Sequence, residues 1–143
     1  MHELFGEPIH TYTRSEAIAD GTLVDLTEWA SAQTGFMGGF RWPVAVTAAV
    51  WADLNDIPTW AQGWQDVRGR AHDLLWMARI AVRQAGAKAT EVVFDLVLSL
   101  SGDPEPADGR GEGEWGSMRT YKLVCGPNDD GSPCLTLMLP DED

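Results

Sequence analysis

The clearest hydrophobic pattern in the chain lies between residues 67 and 85, where apolar side chains recur every three or four positions. This period is that of an amphipathic α-helix, and Gly86 stands where a helix commonly ends. Arg68, His72, Arg79 and Arg83 fall largely on the side opposite the apolar positions. We therefore predict a long helix that ends at Gly86 and carries its basic side chains on a solvated face.

The pattern changes to a period of two over residues 91–100, with Val92, Phe94 and Leu96 on one face. This alternation predicts a strand that packs against helices. Two further strands are predicted at 118–125 and 134–139, because the residues between them have the composition of a turn. The second and third strands pair most simply as an antiparallel hairpin.

Shorter elements are predicted in the first half of the chain. Ser15 can cap a helical turn that Gly21 ends, and Thr27 can cap a second short helix after an extended segment at 22–26. Pro43 suits the first position of a third helix, which we expect to end near Asn55. These helices would cover the strands of the second half.

The predicted fold class is therefore α+β, with a three-stranded antiparallel meander in the C-terminal half covered by helices from the N-terminal half. A length of 143 residues fits a single domain over 1–143. Residues 102–116 are rich in glycine, proline and acids, and we expect them to form a mobile acidic loop.

The charge balance limits the classes of partner. Ten basic against 22 acidic residues give a net charge of -12, which repels phosphate backbones and argues against direct nucleic-acid binding. An acidic surface can imitate DNA toward a basic protein, or it can only keep the chain in solution. No apolar run is long enough for a membrane helix, and residues 1–9 do not have the order of a signal peptide, so we expect a cytoplasmic protein.

Signatures of catalysis and metal binding are weak. Glycine spacing excludes a phosphate loop or a nucleophile elbow, and the pair His72 and Asp73 is interpreted as a surface pair. Cys125 and Cys134 bracket a turn and are expected to be free thiols that could face each other across the hairpin. We predict no catalytic residue, no metal and no cofactor, and a binding protein rather than an enzyme.

Two groups of residues are candidates for binding. The first group lies in and near the N-terminal segment and consists of His10, Tyr12, Arg14 and Asp25. We predict that these residues form a small-ligand site.

The second group follows from the high tryptophan content, seven in 143 residues. Trp29, Trp51 and Trp76 fit the core of periodic helices, whereas the others adjoin loops, where large aromatics favour protein interfaces. The partner-binding candidates are Trp42, Trp60, Trp64, Trp115, Asp129 and Asp130.

Several segments together resemble an uncharacterised family of small proteins carried by bacteria, plasmids and phages. They occur in order along nearly the whole chain, at residues 9–14 (IHTYTR), 17–21 (AIADG), 23–25 (LVD), 42–47 (WPVAVT), 49–51 (AVW), 74–77 (LLWM), 124–127 (VCGP), 129–131 (DDG) and 138–140 (MLP). The resemblance implies a mobile-element setting, in which small acidic proteins often inhibit host defence. It supplies no catalytic residues.

Three hypotheses remain open from the sequence. The leading one is a noncatalytic inhibitor of CRISPR or restriction machinery, whose acidic surface and loop aromatics occupy a basic protein groove. The second is a small-ligand module or enzyme built around His10, Tyr12, Arg14 and Asp25. The third is an accessory protein that self-associates through its sheet as a homo-oligomer.

Overall fold

The computed structural model describes residues 12–31, 40–86, 88–105 and 116–143. The helices of these residues are α1 (Arg14–Asp20), α2 (Thr27–Ala30), α3 (Ala48–Asn55) and α4 (Val67–Ala85), with a 3-10 turn at Thr59–Ala61. The strands are β1 (Leu23–Asp25), β2 (Val44–Thr47), β3 (Glu91–Val97), β4 (Met118–Pro127) and β5 (Pro133–Met138). Most of the predicted acidic loop, residues 106–115, lies outside the described residues.

The five strands form one mixed sheet in the order β1-β2-β5-β4-β3. The meander β3-β4-β5 is antiparallel, as the sequence predicted, but the sheet continues through a parallel pairing of β5 with β2 and an antiparallel pairing of β2 with β1. The α+β class is confirmed. The prediction of a three-stranded sheet is incomplete because it omitted the two strands of the N-terminal half.

The missing strand β2 explains this difference. Pro43 precedes a strand rather than starting a helix, and its carbonyl accepts a hydrogen bond from the Leu135 amide at 2.8 Å. Val44 and Val46 are fully buried, and β-branched side chains favour a strand there. The helix begins only at Ala48, where the Thr47 hydroxyl accepts a hydrogen bond from the Val50 amide at 3.3 Å.

The core lies between the sheet and the helices α2, α3 and α4, whose buried side chains meet those of β2, β3, β4 and β5. Helix α4 covers the residues predicted for it and ends at Gly86, which has a φ of 92°. Helix α1 contacts β1. The Arg14 side chain of α1 donates to Thr136, which lies on the sheet face opposite the core. None of the described helices has the length and apolar character that a membrane span requires.

The two cysteines are free thiols, but they do not face each other. The hairpin register places Cys125 opposite Leu135 and Cys134 opposite Gly126. An offset of one residue puts side chains on opposite faces of the sheet, because side chains alternate along a strand. The expectation that they face each other across the strands is therefore wrong.

Both short N-terminal helices differ from prediction at their caps. Thr13, not Ser15, caps α1: its hydroxyl accepts from the Glu16 amide at 3.1 Å, and Glu16 accepts in return from the Thr13 amide at 2.9 Å. Thr27 is the first residue of α2, and its hydroxyl bonds to the backbone of Val44 instead of capping the helix. The reciprocal pair at α1 is a capping box, which satisfies two amides at once.

Replacing Thr13 with alanine is expected to lower the free energy of unfolding by about 1 kcal/mol, because an amide of the first turn of α1 loses its acceptor. Ser15→Ala is the matched control, since Ser15 is exposed and is not the capping residue. Urea unfolding of both variants measures the difference. Equal losses for the two variants would refute the assignment of the cap to Thr13.

Candidate functional site

The N-terminal ligand candidates are held by local contacts. Tyr12 is 55% exposed, and its hydroxyl bonds to Asp20 and to the Thr22 hydroxyl. The hydrogen bond to Asp20 raises the pKa of Tyr12 and lowers that of Asp20. Asp25 accepts a hydrogen bond from the Thr27 amide at 3.0 Å.

Arg14 is bound to the sheet. Its guanidinium donates to the Thr136 hydroxyl and to the Leu135 carbonyl, both at 2.7 Å. Neither of the two clefts described below is lined by Tyr12, Arg14 or Asp25. His10 lies outside the described residues, so a small-ligand site around these four residues stays a prediction.

The two acidic candidates support the turn between β4 and β5 and the start of α1. Asp129 accepts from the backbone amides of Arg14 at 2.8 Å and Ser15 at 3.0 Å, so its carboxylate lies at the N-terminal end of α1. Asp130 accepts from the Ser132 amide and hydroxyl, and the hydroxyl contact is the main cause of the lowered pKa of Asp130. Both residues remain exposed, and a role in partner binding stays a prediction.

The tryptophans divide differently from the prediction. Trp29 and Trp51 pack together on the core with ring centroids 6.3 Å apart, as expected. Trp76 is exposed instead, with its ring stacked on that of His72 at a centroid distance of 6.4 Å. Trp76 lies one turn after His72 on the face of α4 that the apolar pattern left to solvent, which is the physical reason for its exposure.

Among the loop tryptophans, Trp42 is partly exposed and Trp64 is the most exposed large apolar residue that the structure describes, at 67%. Trp60 is half-buried and supports Trp64, with centroids 6.3 Å apart. The indole nitrogen of Trp60 is buried and has no hydrogen-bond partner among the described residues. Trp115 lies outside the described residues.

Trp64 stands at a cleft of about 810 Å³ between the segment 62–66, the first turns of α4 and the end of β3. Asp66 and Asp73 contribute carboxylates to its lining, and Ser99 lies on the β3 side. Asp66 also accepts from the Gly69 amide at 2.7 Å, which caps α4 and fixes this carboxylate at the cleft. His72 Nδ1 lies 3.4 Å from Asp73 Oδ1.

Arg70 forms the inner wall of this cleft and was not predicted. It is only 3% exposed, so the basic segment is not wholly a solvated face. Its guanidinium donates to the carbonyls of Asp53 and Leu54 at 2.9 and 3.0 Å and to Gln65 Oε1 at 2.9 Å. Burial lowers the pKa of Arg70 from its usual value. The sequence held a signal, because Arg70 precedes the buried Leu74 by four residues and so shares its side of the helix.

A second, smaller cleft of about 300 Å³ lies beside Asp53, Arg119 and Tyr121. The Tyr121 hydroxyl donates to Asp53 Oδ2 at 2.9 Å, and burial raises the pKa of Tyr121 well above its usual value. The phenol therefore keeps its proton at neutral pH and acts as a donor rather than a base.

Arg119 binds both carboxylate oxygens of Asp103, at 2.9 and 2.7 Å. The pKa of Asp103 is lowered, first by the hydrogen bond from the Leu100 amide and then by Arg119. These contacts hold the turn after β3 against β4. In the described ranges no group of three or more His, Cys, Asp or Glu side chains is placed to hold a metal ion.

The larger cleft is therefore the candidate site, because it joins an exposed aromatic ring to two carboxylates. No match was found for the chain among curated proteins or among solved structures. A family of unknown function, DUF6573, matches residues 1–143. The chain belongs to this family.

Proposed function

We propose that the protein is a noncatalytic binding protein that holds a basic partner protein at the cleft beside Trp64. The observation that carries the proposal is the exposure of Trp64 at the edge of a cleft that also presents Asp66 and Asp73. A tryptophan face flanked by carboxylates suits the side chain of a partner arginine or lysine.

The chemistry of such a contact is well defined. A guanidinium stacked on an indole gains about 0.5–2 kcal/mol, more as water is excluded. Asp73 is largely exposed and can accept from the same cation, while Asp66 is already fixed by the cap of α4. The lining of the cleft thus includes one exposed ring and two carboxylates that can accept from basic side chains of a partner.

The net charge supports the same kind of partner. At -12, the chain attracts basic surfaces over the distance of a Debye length and speeds their approach. In the mobile-element setting implied by the resemblance, the partner would be a nucleic-acid-binding protein of a host defence system, such as a CRISPR or restriction enzyme. Its phosphate-binding groove would be the surface that this chain occupies.

The proposal is tested by affinity capture from a bacterial lysate with the whole protein as bait, in wild-type form and as Trp64→Ala and Asp73→Asn. We expect basic proteins on the wild-type bait that both variants lose. The retained partner, once purified, should bind at least tenfold more weakly to Trp64→Ala, since an aromatic hot spot contributes 2 kcal/mol or more.

Trp42→Ala is the matched control, because Trp42 is also exposed but does not line the cleft. The affinity for the purified partner should fall steeply between 50 and 500 mM salt. Binding that resists salt, or that depends on Trp42 and not on Trp64, would refute the proposed surface.

A further inference from the structure

Strand β3 is the last strand on its side of the sheet within the described residues, so one of its edges carries no neighbouring strand. We infer that this edge binds an extended, basic segment of the partner by adding it to the sheet as a further strand. The inference rests on the proposed function and names the form in which the partner is bound.

The hydrogen-bond pattern identifies the groups that are available. The Cys125 amide donates to the Thr90 carbonyl and the Leu98 amide to the Ser117 carbonyl, both at 2.8 Å. In an antiparallel ladder such bonds recur at every second residue, so even-numbered residues of β3 direct their backbone groups toward β4. The backbone groups that point to the outer edge belong to Glu91, Val93, Asp95 and Val97.

The same four residues present their side chains on the sheet face opposite α4, and all four are exposed. Val93 is 56% exposed, and the Asp95 carboxylate accepts from the Thr120 hydroxyl of β4 at 2.6 Å. Acid and valine thus alternate along one side of the edge. An added strand matches this pattern when basic residues lie opposite Glu91 and Asp95 and apolar residues opposite Val93 and Val97.

The position of α4 favours an extended segment over a second copy of this chain. Helix α4 packs on β3, the edge strand itself, whereas α3 packs on β1, β2 and β5. Two β3 strands paired edge to edge would lie about 4.8 Å apart, but packed helices need about 8–10 Å between their axes. A single strand carries no helix and fits between the edge and solvent without this conflict.

The edge also leads directly to the candidate site. Val97 and the two residues after it line the cleft that contains Trp64 and Asp73. A segment that pairs along β3 therefore reaches the cleft at the C-terminal end of the strand. Backbone hydrogen bonds along β3 would supply orientation, and the cleft would take one further basic side chain beyond the paired stretch.

The test uses the seven-residue peptide VTKTVTK, which matches the length of β3 and places lysine opposite both acids when it pairs antiparallel. Two derivatives keep its charge. N-methylation at the third and fifth positions removes amides that face β3, whereas N-methylation at the fourth and sixth removes amides that face away. We expect the first to weaken binding to the whole protein by about tenfold or more and the second by less than about threefold.

A second comparison separates local from global charge. Asp95→Lys and Asp141→Lys change the net charge equally, and both aspartates are exposed. Only Asp95→Lys should lower the affinity for the peptide, by about tenfold. No binding of the peptide, equal effects of the two methylation patterns, or equal effects of the two lysine variants would overturn strand addition.

Light scattering of the protein alone completes the test. A monomer at high concentration agrees with the inference. A dimer that Val93→Asp converts to a monomer would overturn it, because a second copy of the chain would then pair with the β3 edge. If lysate capture still depends on Trp64 while the peptide tests fail, the proposed function stands without strand addition. If capture also fails to depend on Trp64, both are wrong.

Discussion

Replacing Arg70 with methionine is expected to lower the free energy of unfolding by about 2–3 kcal/mol, because a buried carbonyl loses its charged donor. Methionine fills much of the space but donates no hydrogen bond, so the carbonyls of Asp53 and Leu54 lose the guanidinium that now satisfies them. Both carbonyls belong to the last turn of α3. The Asp53 carbonyl also accepts from the Asp56 amide at 3.2 Å, so Leu54 is the carbonyl that depends most on Arg70. Urea unfolding followed by circular dichroism measures the loss.

Two further variants show whether the effect comes from the hydrogen bonds. Arg70→Lys keeps the positive charge but has no planar group to reach three acceptors, so it should lose about half as much stability as Arg70→Met. Arg83→Met removes an exposed arginine of the same helix and should change stability by less than about 0.5 kcal/mol. A loss below about 1 kcal/mol for Arg70→Met would contradict its role as the cap of α3.

Above pH 10 the protein is expected to lose stability through Tyr121. Burial raises the pKa of this phenol in the folded state above its ordinary value near 10. The folded state therefore binds the proton more tightly than the unfolded chain, and the stabilisation present below pH 10 is lost as the pH rises. The expected slope approaches about 1.4 kcal/mol per pH unit from this group.

Tyr121→Phe should remove that slope, at a cost of about 1 kcal/mol at neutral pH for the lost hydrogen bond to Asp53. Tyr12→Phe is the comparison variant, because Tyr12 is the other tyrosine of the chain and its pKa is also raised, but by a hydrogen bond at the surface rather than by burial. It should remove a smaller part of the slope than Tyr121→Phe does. Unfolding midpoints in urea from pH 7 to 11 give the comparison. Parallel curves for wild type and Tyr121→Phe would show that the phenol does not control alkaline stability.

The sequence predicted the elements that are long enough for their hydrophobic pattern to repeat several times. Helix α4 repeats its apolar positions over five turns, and β3 alternates over seven residues, so both were assigned from pattern alone. Strand β2 has only four residues and lies directly before a helix. Two valines at two-residue spacing are too short a pattern to distinguish this strand from the start of the helix. Its identity depends on pairing with β5, which is a tertiary contact.

The candidate site was predictable only in part. Trp64 was selected because it lies among loop residues, and the structure places it at the larger cleft. Arg70 was not named among the basic side chains of the solvated face, and its helical phase, which places it beside Leu74, was not used to predict its burial. The assembly of Asp66, Asp73 and the end of β3 around one cleft depends on how α4 crosses the sheet, which periodicity does not specify.

The parallel pairing of β2 with β5 sets the order in which the chain can fold during synthesis. Val44 pairs with Leu135, so β2 leaves the ribosome long before the strand that lies beside it. Until β5 is made, the edge of β2 that pairs with β5 has only water as a hydrogen-bond partner. The apolar side chains of the N-terminal half remain exposed to solvent during this time. Strand β5 is made after the other four described strands and closes the centre of the sheet, so truncation before β5 should yield a chain that is degraded or aggregates rather than a smaller stable protein.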